Sequence, residues 1–164
     1  MQPAALIRER GELGLSAAAL TELMTAVLAK GKAFRFRAKG WSMSPFIKDG
    51  DVITVSPPGG RAPRTGDIVA FLHPASGHVG VHRIVRASGG AFLVRGDNVH
   101  GGDGSLTRER ILGTVTEVVR DGRKVRGIPG RLSPAIAFLS RTGGLVRGLG
   151  LLRRLSRRPQ KGSP

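Results

Sequence analysis

The feature that most constrains the fold of this sequence is a series of short β-rich runs separated by turn-forming residues. The runs are FRFRA (34–38), VITV (52–55), DIVAFL (67–72), VGVHRIV (79–85), AFLV (91–94) and ILGTVTEVV (111–119). The chain also has 25 Gly and 10 Pro, a composition that favours short strands joined by turns over long helices. We therefore predict a mostly β domain over residues 34–126.

Two local signals add a hairpin at the end of this domain and a helix before it. Asp121-Gly122 directly follows the longest run and is a two-residue hairpin signal. An amphipathic helix is predicted from Ser16 to Lys30, because Ser16 can cap its start and Gly31 can end it. We expect its apolar face to pack on the core; a helix that binds a partner or lies on a membrane is the alternative. The apolar face consists of Leu20, Leu23, Met24, Val27 and Leu28.

Positive charge is concentrated at the C-terminal end of the chain. The formal net charge is +16, and residues 120–164 contain 12 Lys/Arg against the single acid Asp121. Over residues 127–164, leucines recur on one helical face and arginines on the other, which is typical of a helix lying on a membrane; a solvated tail is the alternative. The sequence thus divides into an N-terminal helical extension (1–33), a β domain (34–126) and a basic amphipathic tail.

Several classes of protein are excluded by what the chain lacks. It contains no cysteine, which rules out disulfides, thiolate catalysis and Cys-ligated zinc. The best candidate for a membrane span, residues 132–152, carries Arg141 and Arg147, and each central Arg costs ~2.5–3.5 kcal/mol on insertion. We predict neither a secretory signal nor a transmembrane helix, and expect a cytoplasmic or peripherally membrane-associated protein.

The stretch GWSMSPF (40–46) contains the first candidate catalytic residue, Ser42. A serine hydroxyl becomes an effective nucleophile when a neighbouring base takes its proton and backbone donors meet the oxyanion. His82 follows within VHRIV, and two acids, Asp97 and Asp103, come after it. This order matches the roles of nucleophile, base and orienting carboxylate. The alternative is a turn serine at position 42, a tight Asx turn at Asp97-Asn98 and a solvated loop carboxylate at Asp103.

The four histidines do not have the spacing of a metal site. His78 and His82 lie on one face of the same predicted strand, but four residues of strand separate them by ~13 Å, too far to bind one ion. His73 and His100 fall in loops, and no acidic cluster accompanies any of the four. We predict no metal and no cofactor.

The segment GWSMSPFIKDGDVITV (40–55) resembles the nucleophile box of the signal peptidases and of the related LexA-type self-cleaving repressors. The later segments GDIVAF, VHRIV, FLVRGDNV and ILGTV resemble the boxes that follow it in the archaeal and endoplasmic-reticulum signal peptidases. In the bacterial enzymes and the repressors a lysine is the general base, whereas the matching position here is His82, as in the Ser-His branch. The resemblance covers roughly residues 36–119 and consists of five boxes in the right order.

This resemblance implies a coiled, mostly β catalytic domain of the signal peptidase type that cleaves leader or signal peptides. Ser42 would be the nucleophile, with its amide donating to the oxyanion, and His82 would be the general base. Asp97 and Asp103 would be the acidic residues, one or both of which orient the histidine.

The resemblance also implies how the substrate is held. Met43 and Pro45 would shape the cleft beside the nucleophile, and a peptide or preprotein would bind as an added strand, with small side chains before the cut. Two departures from the family are visible. Gly40 replaces a serine that helps to hold the oxyanion in some relatives, and the transmembrane anchors of signal peptidases are not predicted here.

Two other functions fit parts of the sequence. One is a catalytically silent basic β protein that binds nucleic acid or an anionic membrane; one Trp and no Tyr provide almost no base-stacking platform, which argues against nucleic acid. The other is a LexA-type self-cleaving regulator. The 33 residues before the β domain are too few for a helix-turn-helix module, and the expected lysine is a histidine. The sequence leaves the oligomeric state and the substrate open.

Overall fold

The computed structural model describes residues 16–59, 62–99, 104–127 and Ala135. Within them, an α-helix precedes eight β-strands, so the prediction of a mostly β fold with an N-terminal helix is confirmed. The elements are α1 (Ala17–Ala29), β1 (Phe34–Arg37), β2 (Val52–Ser56), β3 (Ile68–Leu72), β4 (Val79–Ser88), β5 (Ala91–Arg95), β6 (Ser105–Leu106), a 3₁₀ helix (Arg108–Arg110), β7 (Ile111–Arg120) and β8 (Arg123–Lys124).

The strands form one antiparallel sheet in the order β1-β2-β7-β3-β4-β5-β6, and β8 pairs with β7. The register shifts at three places, between Thr54 and Val55, between Ala70 and Phe71, and within β4 after Ile84. Such bulges bend a strand and increase its twist. The sheet therefore coils, as the family resemblance implies.

The predicted hairpin at Asp121-Gly122 joins β7 to β8. Both residues have positive φ, 49° and 73° respectively, which is the type I′ turn that matches the twist of paired strands. The two-residue strand β6 was not predicted, because so short a run carries no periodic pattern.

The hydrophobic core consists of two clusters, one on each face of β3. Ile68 and Ala70 belong to the first cluster, whereas Val69 and Phe71 belong to the second. This division follows from the alternation of side chains along a strand. All four residues are fully buried, so the centre of the sheet is covered on both faces.

Helix α1 packs on the first cluster. Its predicted cap is present, since Ser16 Oγ accepts a hydrogen bond from the Ala19 amide at 3.2 Å. Met24 and Leu28 are buried in the cluster, and burying such side chains stabilises the fold by about 1.5–3 kcal/mol each. Leu23 remains 45% exposed. The helix thus shares a core with the sheet. The division of the chain into residues 1–33, 34–126 and 127–164 stays a prediction.

Among the helices of the described part of the chain, none has the length and apolar character needed to cross a membrane. The basic tail predicted over residues 127–164 lies outside the described residues, apart from Gly127 and Ala135. Its helical, amphipathic character stays a prediction.

Candidate active site

The structure brings together the serine and the histidine that the sequence analysis selected. Ser42 lies in the loop between β1 and β2, and His82 lies on β4, 40 positions later. The Nε2 atom of His82 is 3.0 Å from the Ser42 Oγ atom, which is hydrogen-bond distance. Both residues are half-buried. At this distance an unprotonated Nε2 can accept the hydroxyl proton when the oxygen attacks.

The loop that carries Ser42 is fixed on both sides of the serine. Gly40 has a φ of 92°, a region that favours glycine, and its amide donates to Asp49 Oδ1 at 2.7 Å. After the serine, Met43 and Ile47 are buried in the first core cluster. The sharp turn before Ser42 and the apolar anchors after it leave its side chain facing His82.

The Ser42 amide is available as a donor for an oxyanion. It makes no hydrogen bond to any residue in the described ranges, whereas the Gly40 amide is engaged by Asp49. A donor contributes to catalysis when it is already aimed at the position where negative charge develops. The backbone of Ser42 can serve that purpose, and Gly40 supplies neither a hydroxyl nor an unengaged amide.

The His82 ring rests beside an aromatic side chain. The ring centroids of His82 and Phe71 are 5.8 Å apart, and Phe71 is fully buried in the second cluster. Gly80 makes room for Phe71, because a Cβ at position 80 would come within 2.7 Å of the Phe71 ring. Because Gly80 has no side chain, Phe71 can pack against β4 at this position. This packing places Phe71 beside the His82 ring, two residues further along the strand.

Gly96 lies against both members of the pair. A Cβ at this position would be 2.7 Å from the Ser42 carbonyl oxygen and 3.1 Å from His82 Nε2. The Asn98 amide donates to the same carbonyl at 2.7 Å, and the Asn98 side chain donates to the Trp41 carbonyl at 3.1 Å. Residues 96–98, which follow β5, therefore pack against the serine loop and hydrogen-bond to it, and so hold it in place. The sequence analysis included this segment in a family box but did not assign a role to Gly96 or Asn98.

Asp97 is buried in a bidentate ion pair with Arg83. The Arg83 Nε atom donates to Oδ1 at 2.9 Å and Nη2 donates to Oδ2 at 2.8 Å. Arg83 Nη1 also donates to the Gly66 carbonyl at 3.0 Å, and the guanidinium lies over the Phe46 ring at 5.4 Å. Such a pair is geometrically specific and fixes the two segments relative to each other. The sequence analysis did not foresee this partner, and the role of Asp97 in orienting His82 stays a prediction.

The other predicted site residues are placed as follows. Met43 is buried and lines the cleft described below, and Pro45 is half-buried three residues after Ser42. Asp103 lies outside the described residues, so its role stays a prediction. Within the described ranges, no group of three His, Cys, Asp or Glu side chains could hold a metal ion.

A second ion pair holds the far end of the serine loop. Arg120 donates to the two carboxylate oxygens of Asp51 at 2.8 and 2.7 Å, and to the Phe46 carbonyl at 3.1 Å. The Lys48 amide donates to Asp51 Oδ2 at 2.8 Å. Burial by itself raises the pKa of Asp51, but the hydrogen bonds and charges of Arg120 and Lys48 outweigh it and hold the pKa below its usual value.

An open cleft of about 1020 Å³ leads to Ser42 and His82. Helix α1 and residues 34–40 form one side, and Val79–His82 of β4 form the other. Met43, Ile47 and Ile53 contribute apolar surface to its lining. Residues of strands β1 and β4 border the cleft, and Ser42 and His82 both lie on it.

A serine and a histidine in hydrogen-bond contact on the cleft of a coiled β domain define a serine-hydrolase type of site. The family model for Peptidase S24-like proteins matches residues 11–116. The chain belongs to the Peptidase S24-like family, within the superfamily of LexA and the signal peptidases, and this membership supports serine peptidase activity in general. A search of the curated proteins found no match to the chain.

Proposed function

We propose that this protein is a serine endopeptidase of the signal peptidase type, which cleaves leader or signal peptides by Ser-His acyl-enzyme chemistry. The observation that carries the proposal is the 3.0 Å contact between Ser42 Oγ and His82 Nε2 on an open cleft. The histidine stands where the resemblance places lysine in bacterial signal peptidases and LexA-type repressors. A Ser-His mechanism is therefore proposed in place of a Ser-Lys one.

The geometry supports a two-step reaction. Ser42 Oγ attacks the carbonyl carbon of the scissile peptide bond while His82 Nε2 takes the hydroxyl proton, and the Ser42 amide donates to the oxyanion. The carbon–nitrogen bond then breaks, and the imidazolium returns the proton to the leaving amine. A water molecule attacks the ester as His82 takes one of its protons, and breakage of the ester returns that proton to Ser42.

The acids are proposed to act on the histidine and on its surroundings. A carboxylate that accepts a hydrogen bond from the second ring nitrogen of His82 would fix the tautomer in which Nε2 is the base. Asp103 and Asp97 remain the proposed residues for this role. The ion pair of Asp97 with Arg83 also supports a positioning role, because Arg83 directly follows His82 and a Cβ at Gly96, the neighbour of Asp97, would lie 3.1 Å from His82 Nε2.

The substrate is proposed to bind as an extended strand in the cleft. Strand β1 is an edge of the described sheet, and Val79–His82 pair with β3 but with no second strand among those described. The Val79 amide points away from β3, since it donates to Thr21 Oγ1 at 3.2 Å. Alternate residues of a strand direct their backbone groups to the same side. Val81 therefore offers backbone groups to a peptide in the cleft.

The basic tail is proposed to hold the domain on an anionic membrane surface. The sequence places eight Lys/Arg and no Asp or Glu in residues 127–164, and each basic residue near such a surface contributes about 1 kcal/mol. Flotation with anionic vesicles tests this proposal directly. Removal of residues 128–164 should abolish flotation, whereas equal flotation of the full and shortened chains rejects a membrane role for the tail.

Peptidase activity is tested with the purified chain and a complex peptide library, in which new termini are identified by mass spectrometry. The wild type should generate new termini with small residues before the cut, and Ser42→Ala and His82→Ala should generate none while keeping their circular dichroism. Cleavage by both variants would show that the assignment is wrong. A concentration-independent shortening of the chain itself would instead identify the self-cleaving alternative.

A further inference from the structure

Cations are concentrated on strand β1, which borders the cleft, and on the residues just before and after it. Lys30, Lys32, Arg35, Arg37 and Lys39 fall within ten consecutive residues and all are exposed. Three of them, those at positions 35, 37 and 39, line the cleft. The ion pairs of the described ranges involve other residues, so no carboxylate there lies within 4.0 Å of the cationic groups of Arg35 and Lys39.

The two faces of β1 differ sharply in chemistry. Phe34 and Phe36 pack against the first core cluster, whereas Arg35 and Arg37 alternate with them on the exposed face. Arg37 Nη1 donates to the Gly50 carbonyl at 2.9 Å, which ties that side chain toward the turn before β2. Arg35 and Lys39 are the cleft-lining cations for which no described residue supplies a hydrogen-bond partner.

A peptide paired with the edge of β1 that no described strand occupies would show the same alternation of two faces. Successive side chains of a strand point to opposite faces, so one alternate set would enter the apolar lining near Met43 and Ile47. The other set would stand on the face that carries Arg35 and Lys39. Side chains directly across an antiparallel pair have Cβ atoms ~4.5–5.5 Å apart, close enough for opposite charges to attract.

We propose that the cleft selects peptides that carry Asp or Glu at alternate positions, with small residues between them. Arg35 and Lys39 bind the carboxylates of these peptides. This inference rests on the proposed function, and it adds the substrate class. An acidic peptide fits the pattern better than a lipid surface, because the cations line the cleft and alternate with side chains that face the core. Each correctly placed carboxylate is expected to improve binding about two- to five-fold at low salt.

The test uses the Ser42→Ala protein, so that binding is measured without any dependence on catalysis. Fluorescein-labelled octapeptides of alternating Ala and Glu are titrated and compared with Ala-Gln and Ala-Lys peptides of the same length. A peptide with the same number of Ala and Glu residues in block order (four Ala followed by four Glu) controls for net charge, because it never places two Glu residues four positions apart, as Arg35 and Lys39 are. Fluorescence anisotropy gives the Kd values at low and high salt.

The alternating Ala-Glu peptide should bind at least about fourfold more tightly than the Ala-Gln peptide, because it gains two carboxylate contacts, and at least about twofold more tightly than the block-order peptide, which can make only one of them. Arg35→Gln with Lys39→Gln should remove both differences, whereas Arg123→Gln, on the exposed strand β8 and outside the cleft lining, should preserve them. Equal affinity for Glu and Gln peptides, or equal affinity for both orders, would overturn the proposal.

Two further outcomes separate this inference from the proposed function and from membrane binding. If the wild type cleaves no peptide but the Ser42→Ala protein keeps the alternating preference, the inference stands and the peptidase assignment fails. If Arg35→Gln with Lys39→Gln lowers binding to vesicles containing phosphatidylserine and leaves the peptide affinities unchanged, the cations serve a membrane contact and the inference is overturned.

Discussion

Arg83 and Asp97 form a bidentate ion pair that joins the strand carrying His82 to the segment that clamps Ser42. Both side chains are at most 1% exposed. Removing one partner from a buried pair leaves an uncompensated charge, which typically costs about 3–5 kcal/mol. The pair therefore connects the stability of the domain to the geometry of the site.

The first prediction concerns this pair. Asp97→Asn should lower the free energy of unfolding by about 3–5 kcal/mol in urea denaturation, because Arg83 remains buried and charged. Glu117→Gln is the matched control, since the Lys124–Glu117 pair is much more exposed, with side chains 67% and 32% accessible, and such pairs contribute about 0–1 kcal/mol. Equal losses in the two variants would contradict the role given to the buried pair.

The second prediction concerns the space at Gly96. Gly96→Ala places a methyl group 2.7 Å from the Ser42 carbonyl oxygen, so the serine loop or the histidine must shift. A displacement of about 1 Å in a catalytic group can cost about 10²-fold, and we expect kcat/KM to fall by at least that factor. Gly59→Ala, where a Cβ meets nothing within 4 Å, is the control and should keep wild-type activity. Unchanged activity in the Gly96 variant would show that Gly96 does not hold the pair in place.

The third prediction follows from the lowered pKa of Asp51. Ionised Asp51 stabilises the folded chain above the usual Asp pKa of about 3.9, and this contribution disappears as pH falls through the lower folded-state pKa. Asp51→Asn should cost about 1.5–3 kcal/mol at neutral pH, and its difference from the wild type should shrink in acid. Chemical denaturation from neutral to acid pH measures the loss of stability in the variant and its decrease as the pH falls. Arg120→Gln removes the same ion pair and should show the same trend; a pH-independent difference in both variants would contradict this account.

The sequence predicted the parts of the fold that depend on local pattern. The six longer strands, the hairpin at Asp121-Gly122 and the cap at Ser16 all follow from periodicity or turn chemistry within a few residues. The contact between Ser42 and His82 was anticipated from the order of the family boxes. It depends on the pairing of distant strands, which a local pattern does not encode.

The partners of the site residues were not predicted, for the same physical reason. An arginine in the apolar run VHRIV has the pattern of a solvent-facing residue, yet Arg83 is fully buried because it pairs with Asp97, in the turn after β5. Gly96 resembles any turn glycine until the serine loop is seen to lie against it. Both roles arise from tertiary contacts between segments that are far apart in the sequence.

The most direct test of the central claim is covalent labelling of the nucleophile. The wild-type chain is treated with a fluorophosphonate, and intact-mass and peptide mass spectrometry follow the rate and the position of the adduct. One adduct on Ser42 is expected, with a rate reduced by about 10²–10⁴ in His82→Ala and unchanged in Ser44→Ala. No adduct on Ser42, or an equal rate of labelling in the wild type and His82→Ala, would contradict a histidine-activated serine.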